Sequence, residues 1–279
     1  MAIRTISTFL HGAAPNTDTL EATIEFARRR DAHLSVMVAS VNDVDPGFYY
    51  AGMHAITIAS AVKDAQGELE TLYQMIEARL EPEDIKWDLA QATVLPGTLA
   101  NFVGDRGRFS DLMILPQPYA EGGLPEDATA IEAALFSAKT PLLVLPEHMT
   151  VIPNFERVLL AWDEGDQALK AARGAMGFLA GAQETFITII DPPRHGPDRS
   201  DPGGQLAQMI HRHGGKANVA VLGRSEGRIS DILLRRAREQ GCDLIVMGGY
   251  GHSRMRQSVL GGTTRRMLEI SDLPIFMMH

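Results

Sequence analysis

A glycine-rich segment near the C-terminus carries the residue types best suited to chemistry in this chain. Residues 247–266 read Met-Gly-Gly-Tyr-Gly-His-Ser-Arg-Met-Arg-Gln-Ser-Val-Leu-Gly-Gly-Thr-Thr-Arg-Arg. Glycines let the backbone approach a ligand closely, and their N–H groups, with the N-terminus of a following helix, suit an anion such as phosphate. From Gly248 to Arg266 there are four arginines and one histidine but no acid. The segment predicts an anion site, and the alternative is a glycine turn followed by a solvated basic helix.

The spacing of the glycines excludes two familiar phosphate-binding motifs. The segment holds no Gly-Lys-Ser or Gly-Lys-Thr, so it is not a Walker-type loop. Residues 249–251 begin a dinucleotide-like fingerprint, but its sixth position is Arg254, and the segment follows a fourth strand rather than a first. The pattern that remains is Gly248-x2-Gly251-x9-Gly261 after an apolar strand.

The elements that would position this segment occur twice along the chain. Short apolar runs alternate with helical patterns, such as those at 16–30 and 166–179, which predicts βαβ units in a parallel sheet with helices on both faces. Five strands are expected in each half, at about 3–10, 33–41, 85–92, 111–115 and 141–146, then at 156–162, 185–190, 217–222, 243–247 and 274–278.

Two matching positions indicate that the halves arose by tandem duplication. Asp111 and Asp243, each before a short apolar strand, lie 132 positions apart, and Pro141 and Pro274, each leading a last strand, lie 133 apart. We therefore expect two domains, at 1–148 and 154–279, a number that also suits the length of 279 residues.

The composition excludes several classes of protein. Apolar residues make up 45% and charged residues 22%, which is typical of a globular chain and not of a disordered one. The net charge of −9 argues against binding nucleic acid or anionic membranes. Cys242 is the single cysteine, so no intrachain disulfide can form. Without a long apolar run or a secretion signal, a cytoplasmic protein is expected.

On these residues the sequence resembles the universal stress protein family, specifically its tandem two-domain members. The resemblance implies two Rossmann-like domains of the adenine nucleotide α-hydrolase type, each with a five-stranded parallel sheet of order 3-2-1-4-5, paired through their fifth strands. In the family the glycine motif marks members that bind ATP. The expected cofactor is therefore ATP, AMP or ADP, with Mg²⁺ as an accompanying ion. The expected role is a stress-response or regulatory module that is not an enzyme and has no catalytic residues.

The resemblance assigns ligand contacts residue by residue in the second half. Asp163 matches an acid that contacts the ribose or adenine, although an Asp there also suits plain helix capping. Ile189 or Ile190 matches a backbone position that meets adenine. Gly262 departs from the family, where Ser or Thr is expected, and Thr263 or Thr264 would supply the hydroxyl instead. The rest of the predicted binding set is Ala161, Met247, Gly248, Gly251, His252, Arg254, Gly261 and Thr263.

The first half has lost these features. His11 and Gly12 stand where the acid would be, and no partner for His11 can be named from the sequence. Residues 116–127, expected to form a loop, carry three prolines and three acids. Prolines remove amide donors and carboxylates repel phosphate, so this half is predicted to be structural or regulatory.

Some features of the sequence suit functions other than nucleotide binding. The leading alternative is a nucleotide-free interaction scaffold whose basic loop docks an acidic partner or a small anion. An adenylating enzyme would need a Ser-Gly-rich loop after a first strand, and neither 10–14 nor 161–165 supplies one. His211 and His213 suit a polar helix end better than a metal site. Segment 42–59 is expected to be a loop that folds over its own domain, and the alternative is a pocket lid or a partner surface. The expected assembly is a monomeric pseudo-dimer within one chain or a homodimer.

Overall fold

In the computed structural model, the described residues are 2–12, 15–42, 55–119, 123–192, 201–223, 227–250 and 262–279, with only the backbone described at 55–59 and 61. The first half alternates strands and helices as the apolar runs predict. Its elements are β1 Thr5–His11, α1 Thr17–Arg30, β2 His33–Val41, α2 Ala55–Leu80, β3 Trp87–Val94, α3 Leu99–Gly107, β4 Leu112–Pro116, α4 Pro125–Glu132, a wide π-helical turn Ala133–Ala138, and β5 Leu142–Leu145.

The second half repeats this order, with two short helices where the first half has α1 and a shorter helix where it has α2. Its elements are β6 Arg157–Ala161, α5 Asp166–Gly174, α6 Met176–Gly181, β7 Glu184–Ile190, α7 Gly204–Arg212, β8 Ala217–Leu222, α8 Ile229–Glu239, β9 Leu244–Gly248, α9 Gly262–Ile270 and β10 Ile275–Met278. No helix among the described residues combines the length and the apolar character that crossing a membrane requires.

The strands of both halves join in one sheet. Their order is β3-β2-β1-β4-β5-β10-β9-β6-β7-β8. Neighbours are parallel except β5 and β10, which run antiparallel with Leu143 opposite Phe276. Each half therefore has the order 3-2-1-4-5, and the halves pair through their fifth strands, which confirms both expectations.

Helices cover both faces of this sheet and bury a core on each. One core takes apolar side chains from α1, α2 and α5–α7, the other from α3, α4, α8 and α9. Central strands contribute to both, as β10 does with Phe276 on one face and Met277 on the other. This two-sided burial explains why the strands read as continuous apolar runs.

Two expected elements differ from the structure. The prediction of a loop at 42–59 is wrong for residues 55–59, which form the start of α2. Residues 43–54 lie outside the described residues. Every Pro or Gly of that segment precedes residue 55, so nothing opposes a helix beyond it. The helix expected at 166–179 is divided at Ala175 into α5 and α6. Gly174 precedes the division, where glycine weakens a helix.

Candidate functional site

The predicted site residues of the second half that the structure describes lie where the strand order reverses. Strands β6 and β9 are neighbours, with Leu160 paired to Val246. The chain leaves β6 for α5 on one face of the sheet and leaves β9 for α9 on the other. Such a divergence opens a crevice outside the carboxyl ends of the strands, which is where ligands bind in open α/β sheets.

The end of β6 presents Asp163 to solvent. Ala161 is the last residue of the strand, and Asp163 follows two positions later as an exposed side chain. Its Oδ1 accepts a hydrogen bond of 2.9 Å from the backbone N–H of Gly165, across Glu164 in a left-handed conformation (φ 60°). The carboxylate thus holds the turn into α5, which fixes its direction at the mouth of the crevice.

Trp162 is a further residue of this strand end that sequence reasoning missed. Its backbone N–H donates to the carbonyl of Thr188 at 3.0 Å, which ties it to β7. Its indole Nε1–H donates to the carbonyl of Pro202 at 2.9 Å. The side chain therefore anchors the segment before α7 beside Asp163. The sequence does place a tryptophan next to a predicted ligand residue. Because a partly buried Trp N–H usually finds a hydrogen-bond partner, this position could have been predicted to anchor a neighbouring segment.

Gly248 is required by the packing of the fold. A Cβ at this position would lie 2.6 Å from the backbone N of Ala168 and 2.8 Å from the backbone carbon of Gln167. The absence of a side chain therefore lets the first turn of α5 approach the end of β9. Gly262 is the opposite case, because no atom of the described residues lies within 4 Å of a Cβ built there.

Only the two ends of the glycine segment fall within the described structure. Met247 is buried at the end of β9, and Gly262 begins α9, as expected. Four predicted site residues, Gly251, His252, Arg254 and Gly261, lie outside the described residues.

The two threonines proposed as hydroxyl donors differ in their surroundings. Thr264 is buried, and its Oγ1 accepts the backbone N–H of Tyr250 at 3.4 Å. Thr263 is only partly buried at the start of α9. Thr264 is therefore engaged by the backbone of the segment itself, which leaves Thr263 as the better placed hydroxyl for a ligand.

The two isoleucines considered for adenine contact face opposite sides of β7. Ile189 is buried in the core under α5–α7. Ile190 is partly buried on the other face, together with Ala161 and Met247. Both stand at the end of the strand next to β6.

The net positive charge around the glycine segment is smaller than the four arginines at 248–266 indicate. On α9 the guanidinium groups of Arg265 and Arg266 lie 2.9 and 3.3 Å from the carboxylate of Glu269. Hydrogen bonding by these arginines, first by Arg265, lowers the pKa of Glu269. The acid lies three residues beyond the run, so counting charges within the run overestimates the local excess.

A hydrogen bond between a histidine and an aspartate occupies the equivalent position of the first half. His11 is the last residue of β1 and corresponds to Asp163, which follows β6. The Nε2 of His11 lies 2.8 Å from Oδ1 of Asp127, and both side chains are largely buried. The other carboxylate oxygen accepts the backbone N–H of Leu124 at 2.9 Å. Asp127 thus supplies the partner that the sequence did not reveal. Its carboxylate also sits at the N-terminus of α4, the counterpart of α9, where a phosphate would otherwise be favoured.

The loop expected at 116–127 therefore ends earlier than predicted. Residues from Pro125 onward belong to α4, with the proline in the first turn, where its missing N–H costs nothing. The short helix is what carries Asp127 to His11.

The remaining histidine candidates have structural roles. The Nε2 of His211 accepts the backbone N–H of Ala217 at 3.1 Å, and the Nδ1 of His213 lies 2.9 Å from the carbonyl of Met209. Both stand at the end of α7, as the sequence indicates. Within the part of the chain that the structure describes, no group of three His, Cys, Asp or Glu side chains could hold a metal ion.

Cys242 is expected to be inert toward thiol reagents in the folded protein. It is buried before β9, and burial raises the pKa of its thiol to about 12. The reactive thiolate is therefore scarce at pH 8. Mass spectrometry after iodoacetamide treatment at pH 8 should find unmodified native protein and full modification in urea. Rapid labelling of the native chain would contradict this burial.

Comparison with known proteins assigns a family to the second half. Residues 154–279 match the model of the Universal stress protein family. A universal stress protein of Synechocystis sp. is 28% identical over 166 residues, which cover 56% of this chain and 52% of that relative. The match thus spans about half the length of the curated relative.

Two solved structures share the fold over the full chain. A universal stress protein from Archaeoglobus fulgidus DSM 4304 superposes with a TM-score of 0.70 at 16% identity, covering 98% of this chain and 97% of that one. A putative universal stress protein from Pseudomonas aeruginosa UCBPP-PA14 gives 0.61 at 13% identity, covering 99% and 93%. Residues 154–279 therefore match the universal stress protein family in sequence, and both halves of the chain share the fold of these two structures.

Proposed function

We propose that the second half binds one adenine nucleotide at the carboxyl ends of β6 and β9, and that the chain acts as a ligand-responsive stress or regulatory module in the cytoplasm. One observation carries the proposal. An exposed carboxylate, Asp163, stands at the switch point of the sheet, beside the strand that leads into the glycine segment and on to α9. Both groups suit parts of a nucleotide, since a carboxylate accepts ribose hydroxyls and a helix N-terminus attracts phosphate.

The roles proposed for the site follow from its geometry. Asp163 would accept the ribose hydroxyls, the backbones of Ala161 and Ile189 would meet the adenine, and Thr263 would add a hydroxyl to the amides that hold the phosphates. Because the described residues contain no cluster of metal-ligating side chains, Mg²⁺ would enter bound to the phosphates. The proposed role is binding alone, without catalytic turnover.

The first half is proposed to hold no nucleotide. Its own carboxylate, Asp127, already occupies the N-terminus of α4 and binds His11. This half would instead support the second half through the shared sheet, which makes one chain a pseudo-dimer. Assembly into a homodimer stays a prediction.

A nucleotide-free scaffold is the second candidate, and Gly262 favours it. The side-chain hydroxyl expected there is absent, so the site offers phosphate one contact fewer. In this reading the same loop binds inorganic anions or an acidic partner without recognising a purine.

The fluorescence of Trp162 can separate these two candidates. Trp87 and Trp162 are the only tryptophans, so a Trp87→Phe variant leaves a single reporter directly before Asp163. We expect ATP to change its emission saturably at millimolar concentration or below, with triphosphate alone far weaker. Equal saturation by triphosphate would favour the scaffold. No saturable change with ATP, checked by equilibrium dialysis, would contradict nucleotide binding.

A further inference from the structure

The first half of the chain touches the start of the glycine segment directly. The antiparallel pairing of β5 and β10 brings the π-helical turn Ala133–Ala138, just before β5, beside the end of β9. There the ring of Phe136 lies 4.7 Å from the ring of Tyr250, edge to face at 67°. Tyr250 is the residue that leads from β9 into the segment, so an aromatic contact joins the two halves at this point.

Tyr250 needs such support because its backbone is in an unfavourable conformation. Its φ of 64° is left-handed, which is rare for a bulky residue and persists where the surroundings enforce it. Its backbone N–H has a long hydrogen bond of 3.4 Å to Thr264. The preceding residue, Gly249, is held on both sides of its backbone. Its N–H donates to the carbonyl of Met278 at 2.8 Å, and its carbonyl lies 3.0 Å from Nδ1 of His279.

Packing fixes the side chain of Tyr250. Its hydroxyl oxygen is buried and has no hydrogen-bond partner in the part of the chain that the structure describes. Burial, and next the carboxylate of Glu132, raise the pKa of this phenol, so it stays neutral. The ring is thus positioned by its neighbours, chiefly Phe136 and His279, whose own rings lie 4.6 Å apart.

Other contacts of the first half reach the same region. Leu135, in the same π-helical turn, would lie 3.4 Å from a Cβ on Gly249. Tyr119 stacks beneath the guanidinium of Arg265 on α9, 5.0 Å from its ring centre. Both ends of the glycine segment, Tyr250 and α9, are therefore bordered by residues of the first half. Wide π-helical turns are also frequent at functional sites.

We propose that Phe136 is a positioning residue for the ligand site of the second half, acting through Tyr250. This inference rests on the proposed nucleotide binding for its functional consequence. The first half thereby sets where the glycine segment begins. Loss of the contact between Phe136 and Tyr250 weakens ligand binding.

Hydrogen–deuterium exchange in the ligand-free protein tests the positioning without any nucleotide. We expect Phe136→Ala to speed exchange of the amides of Gly249 and Tyr250 several-fold, while the amide of Val246 within β9 stays unchanged. Phe136 is 39% exposed, so we expect its truncation to leave the fold intact. Phe109→Ala, at an 81% exposed phenylalanine of the same half, is the matched control and should change nothing.

Ring-preserving variants distinguish positioning from general packing. Phe136→Tyr should restore slow exchange, and Tyr250→Phe should behave as wild type because the lost hydroxyl has no partner among the described residues. Equal exchange in wild type and Phe136→Ala would overturn the inference, whatever the protein binds.

ATP titration then measures the consequence. We expect Phe136→Ala to raise the Kd for ATP about fivefold or more, within the usual range of coupling between sites. Phe136→Tyr should restore the wild-type Kd. An unchanged Kd beside faster exchange would overturn the role in ligand binding. If wild type itself binds no ATP, the proposed function fails, and exchange still decides whether Phe136 positions Tyr250.

Discussion

Replacing Gly248 by alanine is expected to destabilise the protein by about 1–3 kcal/mol, the usual cost of overpacking. The added Cβ would lie 2.6 Å from the backbone N of Ala168, an atom that cannot rotate away. Relief requires α5 to move from the end of β9. Urea unfolding followed by circular dichroism measures the loss of free energy.

The same substitution at Gly262 is the matched control. Its Cβ would meet no atom within 4 Å in the part of the chain that the structure describes, and alanine is a better helix former at the start of α9. Gly262→Ala should therefore be neutral or stabilise by up to about 1 kcal/mol. Equal effects of the two substitutions would show that these glycines do not differ as the structure indicates.

Substituting Asp163 by asparagine is expected to weaken ATP binding about tenfold or more. The amide oxygen can still accept the N–H of Gly165, so the turn into α5 is retained. The side chain loses its charge and one acceptor oxygen, and hydrogen bonds to charged groups contribute about 1.5–3 kcal/mol. Asp166→Asn, at another exposed carboxylate three residues later, is the control. Unchanged affinity in Asp163→Asn, measured by equilibrium dialysis, would remove Asp163 from the site.

The central strands could be predicted well because both faces of the sheet are buried there, whereas the edge strand β8 is only partly buried or exposed. β2 and β8 begin and end at the expected residues, 33–41 and 217–222. The other strands differ by a few residues at their ends, where polar and apolar residues mix. The order 3-2-1-4-5 came with the resemblance to a family and not from the apolar pattern.

Contacts between distant residues could not be predicted in the same way. His11 and Asp127 are 116 positions apart, and only the folded chain brings α4 to the end of β1. The packing role of Gly248 depends on where α5 lies, which no local pattern encodes. The charge of the basic run also depends on Glu269, one helical turn beyond the segment that draws attention.

The count of ATP molecules bound per chain tests the central claim most directly, since only the second half is proposed to bind. Isothermal titration calorimetry of the full chain should give saturable binding of one nucleotide per chain, strongly weakened in Asp163→Asn. Two nucleotides per chain would show that the His11–Asp127 pair does not exclude a ligand from the first half. No saturable binding at millimolar ATP would contradict the nucleotide site itself.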